Sequence, residues 1–155
     1  MKREQAERVG RLLLEVAPRV MRLETNALAR LDHQLTHRQY RILSRISNGM
    51  TSATAMSRAA SISLAAISES VDALCRRELV ERQPDERDRR ASRLALTAAG
   101  KAALAQAEQA LDILAAHLSG SLPVAESTSL VDRLEDIAEN VREQHARLLD
   151  AQKVS

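Results

Sequence analysis

Between Glu4 and Leu31, apolar residues fall at Val9, Leu12, Val16, Val20 and Leu23, a spacing of three and four that predicts a first helix. Pro18 lies inside that run and predicts either a kink or a later helix start. In LTHRQYRILSRI, which begins at Leu35, Thr36 and Gln39 stand at capping-box spacing. Tyr40, Leu43 and Ile46 then form the buried face of a second helix, and Asn48-Gly49 stops it. Thr51 or Ser52 caps a short third helix through Ala60. Ser61, Ile62 and Ser63 break that helix, and Ser63 caps a fourth.

In the fourth helix Leu64, Ile67, Val71 and Leu74 share one face, predicted to be buried. The opposite face carries Ala65, Ala66, Glu69, Asp72, Ala73 and Arg76. Two small residues at its start permit close approach of something large, although high helix propensity also accounts for alanine there. The period then shortens. Leu79 to Gln83 reads as a strand, Ser92 to Leu96 alternates as a second, and Pro84 to Arg90 is the turn between them. Thr97 caps a long fifth helix striped by Leu104, Leu111, Leu114 and Leu118. Gly120 and Pro123 mark a break before a sixth, striped by Leu130, Leu134, Ile137, Val141 and Leu148. Three long striped helices without an obvious partner in so small a unit predict a helical interface in a symmetric dimer.

Composition narrows the function. Of 155 residues, 45% are apolar, but Tyr40 is the only aromatic, so stacking recognition of single strands or RNA has no platform. A single cysteine, Cys75, excludes an intrachain disulfide framework. His33 and His37 stand four apart, but no cysteine accompanies them and His117 and His145 lie far along the chain, so no metal is expected. Neither a nucleophile elbow nor a phosphate-cradling glycine loop occurs, and no enzyme or cofactor is predicted. No apolar run reaches membrane-spanning length, which predicts a cytoplasmic protein without membrane contact.

Net charge is only +2, so what matters is where the charge sits. The stretch ERQPDERDRRASRLALT, from Glu81 to Thr97, concentrates five arginines and four acids around one proline. Surface ion pairs contribute only about 0–1 kcal/mol each, so stability alone explains this density poorly. A helix that fits a major groove, followed at once by a thin basic projection able to reach the minor groove, gives it a purpose. On that reading Arg87, Arg89 and Arg90 meet DNA, while Asp85, Glu86 or Asp88 holds the loop in shape. A solvated, internally paired turn is the alternative.

The segment from LTHRQYRIL at 35–43 to LALTAAGKA at 94–102 resembles the MarR family of winged-helix transcription regulators. The likeness is carried by LT-x-x-Q-Y at 35–40, by ISLAAISESVDAL at 62–74, and above all by Asp88-x-Arg90 followed by Leu96-Thr97. It implies a mainly α (α+β) fold: a winged helix-turn-helix with a two-stranded wing, flanked by dimerisation helices. The corresponding division is 1–34 for an N-terminal dimerisation segment, 35–97 for the DNA-binding lobe and 98–155 for C-terminal dimerisation helices. It further implies a homodimer on double-stranded, pseudo-palindromic operator DNA, acting as a repressor released by a small aromatic or phenolic ligand. Residues 63–77 would be the recognition helix, with Ser63, Ala65, Ala66, Ser68, Glu69, Asp72, Arg76 and Arg77 toward DNA. Arg90 would be the wing arginine and Asp88 the residue that orders it, flanked by Arg87 and Arg89. Arg22, His33 and Tyr40 are the candidates for the ligand pocket.

Three departures from the family pattern sharpen the expectations. No basic residue stands between Ser63 and Cys75, so affinity would lean on the wing, on Arg76 and Arg77 and on helix-start amides. Glu78 occupies a position where the family usually has glycine, which predicts either a mildly strained left-handed residue there or a helix that ends differently. Cys75 flanks the buried face of its helix and reads as an inert core cysteine rather than a redox sensor. Because Glu69 and Asp72 repel phosphates, a winged helix used for protein contacts, with weak or no operator binding, is the rival reading.

Overall fold

The computed structural model describes residues 2–84, 92–120 and 123–153. Its elements run α1 (Lys2–Leu28), α2 (His37–Ser47), α3 (Ala53–Ala60), α4 (Leu64–Arg76), β1 (Val80–Pro84), β2 (Ser92–Leu96), α5 (Ala98–Ser119) and α6 (Val124–Lys153). Helix starts follow the predicted caps. Thr36 and Gln39 form a reciprocal capping box, and Ser52, Ser63 and Thr97 each accept a hydrogen bond from the backbone three residues on. α1 is continuous through Pro18 and ends at Leu28, three residues short of the predicted limit.

α2, α3 and α4 pack around one core with the hairpin and the first half of α5. Leu28, Ile42, Leu43, Met56, Ile67, Val71, Leu74, Leu79 and Leu94 are its largest fully buried side chains. Leu64 departs from the predicted buried face, being 46% exposed at the first position of α4, where the helix has just left the α3 turn. β1 and β2 pair antiparallel, from Val80 opposite Leu96 to Pro84 opposite Ser92, so Pro84 belongs to the strand rather than to the turn. The amide of Leu94 donates to the Thr51 carbonyl (2.9 Å), tying the hairpin to the segment between α2 and α3.

α4 ends in a Schellman arrangement. Glu78 N donates to Cys75 O (2.9 Å) and Leu79 N to Leu74 O (3.0 Å), closing the last turn. That geometry requires a left-handed residue, and Glu78 supplies it at φ 56°, where a side chain costs about 1–2 kcal/mol. Glu78→Gly should therefore raise stability by about 0.5–1 kcal/mol after the added freedom of the unfolded glycine is subtracted. Urea denaturation checks this, and a lowered midpoint would mean that Glu78 is unstrained. Ser61, at φ 53°, makes the corresponding left-handed turn between α3 and α4.

The outer helices look unfinished in a single chain. Val9, Leu12, Leu14, Val16 and Leu23 of α1, with Leu130, Leu134 and Val141 of α6, are 37–79% exposed. α1 packs on α5 and α2, but this leaves its outward stripe open.

Candidate nucleic-acid interface

Ile67, Val71 and Leu74 anchor α4 in the core, which turns Ala65, Glu69, Asp72 and Arg76 to solvent. Ala66 and Ser68 are half-buried at the edges of that surface, and the Ser63 hydroxyl is occupied by the amide of Ala66 (3.2 Å). The exposed face begins with small side chains and carries acids at its centre, as its sequence indicates. Arg77 points elsewhere: its guanidinium donates to the Gln34 carbonyl (2.8 Å) and reaches Gln39 Oε1 (3.4 Å), binding the end of α4 to the start of α2.

The hairpin lies beside this helix and changes its charge. Arg82 of β1, on the same face of the ribbon as Val80, donates to Asp72 Oδ1 at 2.8 Å. One of the two acids on the α4 surface is thus neutralised by the wing, and Glu69 is left as its free carboxylate among the described residues. Sequence reasoning missed Arg82, because nothing local connects residues ten apart in a helix and a strand. Arg87, Asp88, Arg89 and Arg90 lie outside the described residues, between the paired ends Pro84 and Ser92.

Cys75 is half-buried against the core, and burial raises its thiol above the ordinary value, with Arg82 opposing. A thiol held in the protonated form suits a packing role.

The three predicted pocket residues lie on separate parts of the fold. Arg22 is exposed on α1 and His33 is half-buried in the turn before α2. Tyr40 packs against the core, where burial, then the Glu108 carboxylate, raises its phenol. A concavity of about 1400 Å³, lined by none of these three, opens between α2, the end of α3, α4 and α6. Arg38, Arg41 and Arg45 of α2 line it at helical spacing, together with Arg58, Glu69 and His145. On its edge His37 Nδ1 lies 2.8 Å from Glu24 Oε1. Among the described residues no group of three or more His, Cys, Asp or Glu could hold a metal, and no helix is long and apolar enough to cross a membrane.

Comparison with known proteins places this geometry. The MarR family model matches residues 33–91. Wild-type MarR from E. coli in its apo form is 28% identical, with a TM-score of 0.70 over 83% of this chain and 95% of that one. A mutant MarR from E. coli complexed with operator DNA is 27% identical, with a TM-score of 0.70 over 86% and 95% of the two chains. FabT from Streptococcus pneumoniae in complex with DNA is 16% identical at a TM-score of 0.78, covering 90% and 99%, a likeness of fold. No curated protein matches the chain.

Proposed function

Because the chain is a MarR-family winged-helix protein, we propose that it is a homodimeric repressor of transcription that binds double-stranded operator DNA and is released by a small ligand. The observation that carries this reading is the placement of α4 and the hairpin. An exposed helix face beginning in small side chains lies next to a two-stranded projection, and both are fastened to one core. α4 would enter the major groove and the tip arginines the adjacent minor groove. The unfilled stripes of α1 and α6 supply the dimer contact, with 1–34 and 98–155 as dimerisation segments around the 35–97 lobe. Two-fold symmetry would then set the spacing of two operator half-sites.

Titration of purified protein with the DNA upstream of its own gene tests this. Binding should exceed that to unrelated DNA, and it should fall by about a thousandfold between about 50 and 200 mM salt. Weak binding with little salt response would instead favour a winged helix used for protein contacts. Glu69→Ala should change which base pairs are preferred within each operator half-site, since a carboxylate there accepts from cytosine N4. An identical preferred site in selection from random sequence would remove Glu69 from base reading.

The Arg82–Asp72 pair gives a second, more local prediction. Arg82→Ala uncovers the Asp72 carboxylate beside the phosphates, so operator affinity should fall several-fold. Arg82→Ala combined with Asp72→Ala should recover most of the loss, a coupling of about 1 kcal/mol in the double-mutant cycle. Strictly additive losses would mean that Arg82 contacts DNA directly and does not act by neutralising Asp72.

A further inference from the structure

The cleft between α2, α3, α4 and α6 is lined by five arginines and a single carboxylate, Glu69. Its charge is also largely uncompensated. Among the described residues Arg142 pairs with Glu139, but Arg38, Arg41, Arg45 and Arg58 have no carboxylate within ion-pair distance and no side-chain hydrogen bond. Outside the cleft Arg19, Arg82, Arg133 and Arg147 each pair with a carboxylate, while Arg8, Arg11, Arg22, Arg30, Arg76 and Arg93 have no ion pair among the described residues. The cleft differs in bringing four unpaired arginines to one concavity. Like charges converging on a concave surface repel, and low-dielectric walls focus their field into the space between them. Burial, then the charge of Arg41, lowers the Arg45 guanidinium below its ordinary value, the mark of a cation short of a counter-charge.

We propose that this cleft binds a small polyanion, an organic phosphate or polycarboxylate carrying two or more negative charges, through the guanidinium groups of Arg38, Arg41, Arg45 and Arg58. The planar forks of arginine match phosphate and carboxylate oxygens, two parallel hydrogen bonds at a time. A single carboxylate would satisfy one or two forks and leave the rest facing one another, so the number of unpaired arginines sets the number of charges. Ile62, with the aliphatic parts of the arginine side chains, supplies apolar surface for a carbon skeleton. No tryptophan or phenylalanine occurs in the chain, so recognition rests on charge rather than on ring stacking. The cleft is walled by α6 through Arg142 and His145, which suits a molecule held between two helical layers more than a broad, rigid duplex.

A ligand there would touch α2 and α3 of the lobe and α6 at once, and would fix their relative position. Its effect on operator affinity rests on the DNA-binding reading above, while the binding itself does not. If the two are coupled, DNA and polyanion must change each other's affinity by the same factor.

The test is calorimetric titration of the full chain, without DNA and at constant ionic strength, with tripolyphosphate, citrate and benzoate. Saturable binding of either polyanion, one per chain and tighter than benzoate, is expected. Response to tripolyphosphate alone identifies a phosphate ligand, and response to citrate as well extends the class to polycarboxylates. Arg41→Gln combined with Arg58→Gln should weaken binding about tenfold or more, as expected for losing hydrogen bonds to charged groups. Lys101→Gln combined with Arg133→Gln, which removes the same charge outside the cleft, should not. Circular dichroism verifies folding, and Arg58→Gln alone, on an exposed position of α3, gives the same reading if the pair unfolds. Absence of saturable polyanion binding, equal weakening in both charge variants, or benzoate binding as tightly would overturn the proposal. So would loss of operator affinity and salt slope in the cleft variant without polyanion binding, which would make these arginines backbone contacts. Failure of DNA binding by the wild type leaves the calorimetric result intact.

Discussion

Gly100→Ala is expected to destabilise the protein by about 3 kcal/mol or more and to loosen the wing at its root. Gly100 is the third residue of α5, buried, with its amide on the Thr97 hydroxyl at 3.0 Å. A methyl group added there would lie 1.9 Å from the Leu79 carbonyl oxygen and 2.9 Å from its carbon. Both are backbone atoms, so no side chain can turn away to make room. The Leu79 carbonyl is also held from the other side, because it accepts from Thr97 N (3.2 Å) while the Thr97 hydroxyl donates to Glu78 O (2.6 Å). Separating α5 from Leu79 therefore breaks the helix cap and the entry to β1 together. Propensity alone would make alanine about 1 kcal/mol better than glycine inside a helix, so even the sign of the result is diagnostic. Denaturant unfolding gives the loss, and amide exchange at Val80, Leu94 and Leu96 should show reduced protection. An unchanged midpoint would mean that α5 and the hairpin are not in contact as described.

The features legible in the sequence share one property, short range. Thr36 with Gln39, and the caps at Ser52, Ser63 and Thr97, are decided within three residues, so composition and spacing suffice to place every helix start from α2 to α5. Glu78 was legible only through the resemblance, since the family has glycine at that position and a helix end there takes a left-handed residue. Leu64 misled because periodicity assigns a face without knowing where the core stops, and the first turn of α4 overhangs it. The restriction on Gly100 was invisible, being set by a carbonyl twenty-one positions earlier in the chain.

The candidate interface divides along the same line. The exposed small residues of α4 follow from its buried stripe, but the neutralisation of Asp72 by Arg82 depends on how β1 crosses the helix. The arginine cleft offered one local sign, the three-and-four spacing of Arg38, Arg41 and Arg45. Its significance depends on Arg58, Glu69 and the α6 wall, brought together from three other helices. Charge pattern along a chain reports density, whereas function depends on whether each charge finds a partner in space.

That distinction bears most on the wing. Arg90→Ala is expected to weaken operator binding by roughly a hundredfold. One arginine contact in a groove is worth about 1–3 kcal/mol, and the proposed dimer presents two wings, giving about 2–6 kcal/mol. In sequence Arg87, Arg89 and Arg90 fall between Pro84 and Ser92, the last described pair of the ribbon, and lie outside the described residues. α4 has no basic residue until Arg76, Arg77 is committed to Gln34 and Gln39, and Arg82 to Asp72. The wing arginines and Arg76 must then supply a larger share of the attraction than in a protein with a basic recognition helix. Loss of one phosphate-neutralising charge per wing should also flatten the plot of log affinity against log salt by about 2, at about 0.9 per charge. Titrations of wild type and Arg90→Ala at several salt concentrations separate the two effects. A hundredfold loss with the slope unchanged would make Arg90 a reader of groove shape whose charge displaces no ions. Affinity within twofold of wild type would remove it from the interface, and the burden of attraction would pass to Arg76 and to the helix-start amides around Ser63.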